Sequence, residues 1–584
     1  MPANTYFVNE ERMKYVPPYW KDSTETREPV LCNTEGNWPQ WLHGTMIRMG
    51  MGPYTVPLST DGSKPNALLQ HWFDGLATLH KFEFSGGQVI YRSRYTAEGV
   101  MKKAREDGYL STMTFGLNPN TPLKESGDPC WAKLGNLQSV FYAGNHPGPD
   151  DLSVSVVPRR SFHVATDGNP NSRGTPADNP AGEEIMCGTD FNLLQICDAK
   201  TLEPKRMVTY ATIDPELQGY GICSHPPKDR QRQHLYNYLI GEDNTVYVFS
   251  LDFGSNPSKL VWKTALPCAP CYVHSLAMSK KYCVFVRNEE RHSSNEESQP
   301  LHMDLKDPSK PLAHALTFEP ESKTLFFILD KDTGKLIAQY ATPHFAFYHA
   351  INGYDYVDKL TGLTNIHIDL CVYPADARPF DEFQFSNILD PAGPLISGTL
   401  ARYELAGVDN PKLPASVQRL GTVVQMIPDC PSELPRINKY YSCNPNYRYV
   451  WTGYENGGTA PGTLVPIGRL SSGIKQPSRA FMGGIAKADW QTGKHIKWFP
   501  SNGESGPCEP IFVGRPGAVD EDDGVVLTIV INREGTSSIL IVLDGRTMVE
   551  VARAFLPQVY GLGPHGSFIE PNGEYYSISP RTTV

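Results

Sequence analysis

Four of the sixteen histidines stand in short stretches that constrain the backbone around them. His565 lies among glycines and a proline in Tyr-Gly-Leu-Gly-Pro-His-Gly-Ser-Phe. His225 occurs in Cys-Ser-His-Pro-Pro, His274 in Cys-Tyr-Val-His-Ser-Leu and His349 in Phe-Tyr-His-Ala-Ile-Asn. Neutral imidazole is the commonest metal ligand among the side chains. We therefore interpret these four histidines as candidate ligands of one metal ion.

The spacing of the four histidines limits the kind of site they can form. The gaps between them are 49, 75 and 216 residues, which are too long for a helix-borne site or a zinc finger. Residues so far apart meet only where the fold brings strand ends from distant parts of the chain to one place. Other histidines are interpreted as ordinary surface or core residues: His163, His234, His292, His302, His344 and His495.

Composition narrows the class of protein. The 584 residues include 50 glycines and 50 prolines, as in a chain rich in turns. The formal net charge of −10 argues against nucleic acid as a partner. No run of about 18 apolar residues occurs, so no transmembrane segment is predicted. The N-terminus lacks the pattern of a signal peptide, and the twelve cysteines are expected to be reduced in a cytoplasmic protein.

One local pattern recurs along the chain. Four apolar runs end in an Asp-x-x-Thr turn that leads into a second strand-like run, at Asp198-Ala-Lys-Thr201, Asp330-Lys-Asp-Thr333, Asp489-Trp-Gln-Thr492 and Asp544-Gly-Arg-Thr547. The Asp and Thr side chains can bond to the backbone of their own turn, so the motif predicts a hairpin. Residues 79–95 and 246–263 are looser copies of the pattern.

Hairpins spread over the whole length, without a long amphipathic helical pattern, favour an all-β protein built from radially repeated small sheets. This architecture is a β-propeller, for which the hairpins predict six to eight blades. An irregular pair of β-sandwiches is the alternative. Long loops are predicted at residues 169–184, 291–310 and 374–393. Because the inner strands of a propeller converge on one axis, four blades could each supply one histidine.

Several longer motifs carry a resemblance to a known family. They are Gln70-His-Trp-Phe-Asp-Gly75, Tyr91-Arg-Ser-Arg-Tyr95, Asp128-Pro-Cys130 and Glu509-Pro-Ile-Phe-Val. Together they resemble the carotenoid cleavage oxygenases, which include carotenoid and apocarotenoid dioxygenases, the retinoid isomerohydrolase and stilbene-cleaving enzymes. The resemblance extends over about residues 35–570, so the chain, residues 1–584, is expected to form one domain.

The resemblance implies a seven-bladed β-propeller with a cap of helices and loops over a central metal site. It implies an Fe(II) ion held by four histidines without a carboxylate ligand. The ligands map onto His225, His274, His349 and His565. Family glutamates that hydrogen-bond the ligands map onto Glu433 and Glu509. Such a carboxylate accepts one ring N–H, fixes the tautomer and aims the other nitrogen at the metal.

At two places the roles of the family's residues cannot be carried over directly to this sequence. A third family glutamate falls in Met186-Cys-Gly-Thr-Asp190, where Gly188 occupies the aligned place. Whether Asp190 substitutes for it stays open at this point. His71 and His80 lie in the strongest family motif, but there the resemblance implies structural residues and not ligands.

The activity that the resemblance implies is an O2-dependent dioxygenase that cleaves a C=C bond of a carotenoid or apocarotenoid into two carbonyl products. The pattern is most like that of the fungal enzymes. Stilbene cleavage is the alternative within the family, but the lysine that binds the phenol there would lie in residues 190–195, which contain none. Zinc in a hydrolase is the alternative metal chemistry, and a catalytically silent interaction module is the alternative from another class.

A polyene substrate needs an apolar tunnel and a route from the lipid bilayer. Phe345, Phe347 and Tyr348 are equally suited to line such a tunnel and to pack in the core. Peripheral membrane contact is predicted for residues 101–121, where apolar side chains that include Leu110 follow a basic cluster. In the alternative interpretation these apolar side chains pack inside a blade.

Overall fold

The structure is a computed structural model that describes residues 9–110, 147–162, 164, 183–288, 323–374, 383–389, 398–456 and 480–571. Its described strands form seven sheets of four or five strands, arranged as the blades of a β-propeller. The predicted all-β, seven-bladed fold is therefore confirmed, and the sandwich alternative is wrong. The Asp128-Pro-Cys130 motif, three of the other histidines (His163, His292 and His302) and most of the predicted long loops lie outside the described residues.

In each blade the first strand named lies at the axis and the last at the outer edge. Blade 1 contains Gly566–Ile569, Gly44–Met51, Ala77–Ser85, Gln88–Tyr95 and Val30–Leu31. Blade 2 contains Val157–Arg160, Glu184–Gly188, Leu194–Asp198 and Pro204–Val208. Blade 3 contains Lys228–Asp229, His234–Ile240, Val246–Asp252 and Lys259–Ala265. Blade 4 contains Ala277–Met278, Tyr282–Asn288, Lys323–Asp330, Leu336–Pro343 and Gln418–Leu420.

The remaining three blades follow the same plan. Blade 5 contains Ala346–Val357, Thr364–Tyr373, Thr399–Leu405 and Thr422–Ile427. Blade 6 contains Ser432–Arg436, Tyr449–Asn456, Ala480–Asp489 and His495–Trp498. Blade 7 contains Ile511–Gly514, Gly524–Ile531, Ser538–Asp544, Glu550–Phe555 and Asn33–Gly36. A separate two-stranded sheet pairs Thr55–Val56 with Ala67–Leu68.

The two ends of the described chain close the ring. The inner strand of blade 1, Gly566–Ile569, comes from the C-terminal end and pairs antiparallel with Gly44–Met51. The outermost strand of blade 7, Asn33–Gly36, comes from the N-terminal end and pairs antiparallel with Glu550–Phe555. Each end therefore completes a blade built mainly from the other end, so strand pairing joins the first and last blades.

Blade strands are long apolar runs because both of their faces are covered. Gly524–Ile531 is buried at all eight positions, as expected for a strand that neighbouring blades enclose on both sides. Between blades 6 and 7, the rings of Trp451 and Phe512 stack with centroids 4.1 Å apart. A stacked pair of this kind adds about 0.5–1.5 kcal/mol beyond the area it buries.

The Asp-x-x-Thr turns form as predicted. Asp198, Asp330, Asp489 and Asp544 each accept hydrogen bonds from their own turn. A fifth copy that the sequence analysis missed joins Asp358 to Thr361 in blade 5. In all five turns the residue after the threonine has a left-handed backbone: Leu202, Gly334, Gly362, Gly493 and Met548. The left-handed residue reverses the chain within a short loop.

Helices are few in the described chain. The α-helices are Glu10–Met13, Glu98–Asp107 and Phe385–Ile388, and the 3₁₀ segments are Pro18–Trp20, Trp72–Asp74, Tyr210–Thr212, Pro215–Leu217 and Lys439–Tyr441. The described residues therefore show few of the helices that the resemblance implies for a cap. None of these helices has the length and apolar character needed to cross a bilayer.

The segment predicted to contact a membrane is only partly described. Helix Glu98–Asp107 buries Val100, Met101 and Ala104, and Leu110 beyond it is fully buried in the core. The buried apolar side chains of the described half thus pack inside the protein, as in the alternative interpretation, while its basic residues Lys102, Lys103 and Arg105 are exposed. Residues 111–121 lie outside the described residues, so the membrane contact stays a prediction.

The turn motif makes a stability prediction. We expect Asp544→Ala to lower the free energy of unfolding by about 1 kcal/mol, because Asp544 Oδ1 accepts from the backbone N–H and the hydroxyl of Thr547. Urea unfolding measures the change. Glu534→Ala is the control, because this exposed residue lies in another turn of blade 7 and should change stability by less than about 0.5 kcal/mol. Equal losses in both variants would attribute the effect to charge and not to the turn bonds.

Candidate metal centre

The four candidate histidines meet at the propeller axis. His225, His274 and His565 precede the inner strands of blades 3, 4 and 1, and His349 lies on the inner strand of blade 5. One ring nitrogen from each lies within 4.8 Å of the others. In the described chain no other group of three or more histidine, cysteine or acidic side chains converges in this way.

Three carboxylates from the other three blades hold three of the rings. Asp190 of blade 2 lies 2.9 Å from His274 Nδ1, and Glu433 of blade 6 lies 2.5 Å from His349 Nδ1. Glu509 precedes the inner strand of blade 7 and lies 2.8 Å from His565 Nδ1. The seven blades therefore contribute four imidazoles and three carboxylates. Asp190, and not residue 188, supplies the carboxylate that contacts His274. The sequence had left open whether Asp190 takes this role.

The hydrogen bonds determine which ring nitrogens carry protons. An ionised carboxylate only accepts, so Nδ1 of each paired ring must donate to it. Burial is the main cause that lowers the pKa of His565, to about 3, and burial also lowers the pKa of His225 well below its ordinary value. The His565 ring is therefore neutral, and its Nε2 carries a lone pair.

The ring nitrogens converge at a spacing that suits a bound cation. Nε2 of His565 lies 2.9 Å from Nε2 of His225 and 3.3 Å from Nε2 of His349. Two neutral imidazoles that both donate through Nδ1 carry lone pairs on Nε2, and such Nε2 atoms do not hydrogen-bond each other. A separation of about 3 Å is what two adjacent ligands have when each lies about 2.1 Å from one metal ion. The donor set and its geometry thus fit a bound metal ion.

Glu509 is held in its charged form by an arginine. Arg436 makes two bonds to its carboxylate, of 2.8 and 2.9 Å, and the Gly566 N–H donates a third at 2.9 Å. Burial alone would raise the pKa of Glu509, but Arg436 and His565 lower it well below the ordinary value. A charged Glu509 keeps the proton of His565 on Nδ1.

Asp190 and Glu433 are held by neutral donors instead. Asp190 accepts from the Ser224 hydroxyl at 2.7 Å and from the Tyr272 hydroxyl at 2.8 Å. Glu433 accepts from the Tyr373 hydroxyl at 2.9 Å. Burial opposes ionisation of both carboxylates, but the adjacent histidines and these donors lower their pKa values below the ordinary range.

His225 differs from the other three rings. Among the residues that the structure describes, no carboxylate lies within hydrogen-bond distance of its ring, and its closest ring partner is His565. The His225 ring faces a wide pocket of about 940 Å³ that is lined also by Glu509 and His349. The cluster is therefore asymmetric, with three carboxylate-oriented rings and one ring beside this wide pocket.

An apolar cavity of about 150 Å³ lies on the other side of the cluster. Three of the clustered histidines line it, together with aromatic side chains: Trp72, Phe73, Phe191, Tyr220, Tyr272, Tyr348, Tyr373 and Phe383. The carboxyl side chains Asp74, Asp190 and Glu433 also line it, and no lysine does so among the described residues. The metal-binding face of the cluster thus opens into a largely hydrocarbon space.

Other residues considered in the sequence lie elsewhere. Of the three aromatic candidates for a tunnel, only Tyr348 lines the cavity. Phe345 packs against Tyr403 and Phe326 in the core. His71 accepts the Phe73 N–H, and the His80 ring hydrogen-bonds the Tyr91 hydroxyl, so both are structural, as expected.

The sequence over residues 20–570 matches the model of the retinal pigment epithelial membrane protein family. The match covers most of the 584 residues and includes every residue of the cluster. The chain belongs to this family.

Relatives in the family are similar to the chain along nearly its full length. A torulene dioxygenase of Gibberella fujikuroi is 26% identical over 93% of this chain and 91% of its own. A carotenoid dioxygenase of Neurospora crassa is 27% identical, with 94% and 90% covered. A β,β-carotene 15,15'-dioxygenase of Mus musculus is 25% identical, with 96% and 92% covered.

A solved structure supports the fold. The cobalt-substituted apocarotenoid oxygenase of Synechocystis superposes with a TM-score of 0.68 at 17% identity, and the match covers 96% of this chain and 98% of that one. At this level of identity the likeness establishes the propeller fold shared by the family.

The sequence did not establish the roles of Asp190 and Arg436. The role of Asp190 stays open in the sequence because Gly188 stands where the resemblance calls for a glutamate, and Arg436 is not among the sequence-predicted residues. The motif Ser-Glu-Leu-Pro-Arg is a usable signal, since it places a cation three residues after Glu433 on the same inner strand.

The role of Asp190 can be tested directly. We expect Asp190→Asn to weaken cobalt(II) binding by roughly 10–100-fold, because the amide can no longer act as the anionic acceptor that orients His274. Titration followed by the visible absorption of bound Co(II) measures the affinity. Asp214→Asn is the matched control, since Asp214 is buried but caps a 3₁₀ turn of its own. Unchanged cobalt affinity in Asp190→Asn would remove Asp190 from the centre.

Proposed function

We propose that one Fe(II) ion is held by His225, His274, His349 and His565. Asp190, Glu433 and Glu509 are the partners that orient three of the rings. The support is the convergence of ring nitrogens in a buried place, with Nε2 of His565 at 2.9 Å from Nε2 of His225 and 3.3 Å from Nε2 of His349. Four imidazoles leave two positions of an octahedral ion free. The order of metal affinities favours copper or zinc at such a site, so supply in the cell must select iron.

The reaction we propose is oxidative cleavage of a C=C bond in a carotenoid or apocarotenoid by O2, with two carbonyl products. The single observation that carries it is the position of the cluster at the wall of an apolar, aromatic cavity. The activities by which the relatives are named, torulene, carotenoid and β-carotene dioxygenases, agree with a polyene substrate.

The chain's own residues supply positioning and protection. Bound iron supplies the activation of O2. Phe73, Phe383 and Tyr348 enclose the space next to the ring nitrogens, where a planar polyene can lie against flat aromatic faces. The apolar walls exclude water from the reacting carbons. The three carboxylates keep the protons on Nδ1, so that the inward nitrogens stay free to bind metal.

The alternatives find less support at the site. No lysine lines the described cavity, which argues against the phenol recognition of a stilbene-cleaving enzyme. Asp190, Glu433 and Glu509 are committed to histidines, tyrosines and an arginine, so none of these three carboxylates is available as the base of a zinc hydrolase. All four candidate histidine ligands are present, whereas a catalytically silent propeller would not need them.

Membrane contact and a cytoplasmic location belong to the same proposal. A carotenoid partitions into the bilayer, so the protein must take its substrate from a lipid surface. The described helices do not cross a membrane, and the contact would therefore be peripheral.

Loss of any one ligand should abolish metal binding. We expect His225→Ala, His274→Ala, His349→Ala and His565→Ala each to copurify with less than about a tenth of the iron of the unaltered protein. Metal analysis and far-UV circular dichroism measure iron and folding. His234→Ala is the control, because its ring lies in blade 3 beside Ser250. A folded variant that keeps its full iron content would exclude that histidine as a ligand.

Product analysis tests the reaction itself. Iron-loaded protein with O2 is expected to convert at least one of β-carotene, torulene and the apocarotenals into two carbonyl fragments, and to leave resveratrol intact. Omitting O2 should abolish the products. Cleavage of resveratrol alone would establish the stilbene alternative. Absence of products from every polyene, at full iron occupancy, would contradict the proposed function.

A further inference from the structure

A third pocket adjoins the wide pocket beside His225, on the side of the cluster away from the apolar cavity. It has a volume of about 350 Å³ and is lined by residues of the inner strands of blades 1, 2, 3 and 6 and by the chain that adjoins them. Six cationic side chains line it: Arg159, Arg160, Lys228, Arg230, Arg436 and Lys439. Glu570 is the acidic residue of the lining. We call this space the basic pocket.

Arg159 is the residue that points to a ligand. Its side chain is more than nine-tenths buried, with 8% of the residue exposed. Its Nε and Nη2 have no hydrogen-bond acceptor among the described residues. A buried guanidinium without an acceptor is unfavourable in a folded protein. The donors of Arg159 therefore call for a negatively charged partner that the described protein does not supply.

Gly188 packs closely against the guanidinium of Arg159. A Cβ on Gly188 would stand only 2.6 Å from Nη2 of Arg159. A side chain at position 188 would therefore displace the end of the Arg159 side chain, while Asp190 holds His274.

The nearby carboxylates are already paired with other cations. Glu570 binds Lys439 and accepts from the Tyr440 hydroxyl. Glu509 holds Arg436 in two bonds. Neither is in position to neutralise Arg159.

Lys228 has no ion pair with a carboxylate in the described part of the chain. Its Nζ lies 5.4 Å from the centroid of the Phe253 ring. Burial, together with Arg159, Arg230 and Arg160, lowers the pKa of Lys228 to about 7. A bound anion would favour its charged form.

We propose that the basic pocket binds a small oxyanion, a phosphate or a carboxylate, through Arg159 with Arg230 and Lys228 around it. Guanidinium groups bind such anions by paired N–H donors. The site is distinct from the apolar cavity and does not rest on the proposed reaction. His225 lines the basic pocket as well, so the anion would lie beside the one clustered ring for which the described chain supplies no carboxylate partner.

Calorimetric titration with inorganic phosphate, and separately with acetate, tests the proposal at constant ionic strength set by sodium chloride. We expect at least one of the two anions to bind the whole protein with a Kd below about 1 mM. Arg159→Gln should weaken that binding by at least about 10-fold. Arg230→Gln, at an exposed position, should weaken it by about 3-fold or more. Which anion binds distinguishes a phosphate ligand from a carboxylate.

Arg515→Gln is the matched control, since it removes one arginine charge at an exposed position of blade 7 and should leave anion binding unchanged. Thermal unfolding adds a readout that a purely structural arginine would not give. In chloride, Arg159→Gln should unfold at the same or a higher temperature than the unaltered protein, because it removes an uncompensated charge. Failure of both anions to bind, or binding by Arg159→Gln as tight as that of the unaltered protein, would overturn the proposal.

Discussion

The convergence of four imidazole rings in a buried place is the constraint on which the rest of the site depends. Nε2 of His565 lies 2.9 Å from Nε2 of His225 and 3.3 Å from Nε2 of His349, a spacing that suits ligands of one metal ion. The carboxylates fix it, because each accepts the Nδ1 proton and prevents the ring from turning its donor inward. Their own charges are in turn held by Arg436 and by neutral donors. The cluster is thus set by a chain of hydrogen bonds that begins well outside the metal position.

The propeller is the fold that makes such a cluster possible. Every blade places one residue near the axis, and the partners of each hydrogen-bonded pair come from different blades. His565 and Glu509 meet only because the C-terminal strand Gly566–Ile569 is inserted into blade 1. The strand that closes the ring therefore also brings His565 to the site. The two faces of the axis then differ in character, with hydrocarbon walls on one side and a basic pocket on the other.

Local signals in the sequence predicted the parts of the fold that are themselves local. Asp330 and Asp544 sit beside the threonines that bond them, so the hairpins could be recognised directly. The inner strands Lys228–Asp229 and Ala277–Met278 have two residues each and carry no periodicity, so the blade number came from the family resemblance.

Contacts between residues far apart in the chain could not be predicted from the sequence. Asp190 and His274 are 84 residues apart, and no local pattern states which carboxylate reaches which ring. The pairing of Asn33–Gly36 with Glu550–Phe555 is likewise invisible in either segment alone. For Leu110 the local pattern is clear but ambiguous, because an apolar residue after a basic cluster suits a membrane surface and a buried core equally well. The structure shows that Leu110 is buried.

X-ray absorption spectroscopy of the iron-loaded protein tests the central claim most directly. The account predicts an Fe(II) spectrum with about four imidazole nitrogens at about 2.1 Å, and with the outer-shell scattering that imidazole rings give. The carboxylates of Asp190, Glu433 and Glu509 should not appear in the first coordination shell. A first shell with sulfur, or with two imidazoles or fewer, would contradict the four-histidine centre.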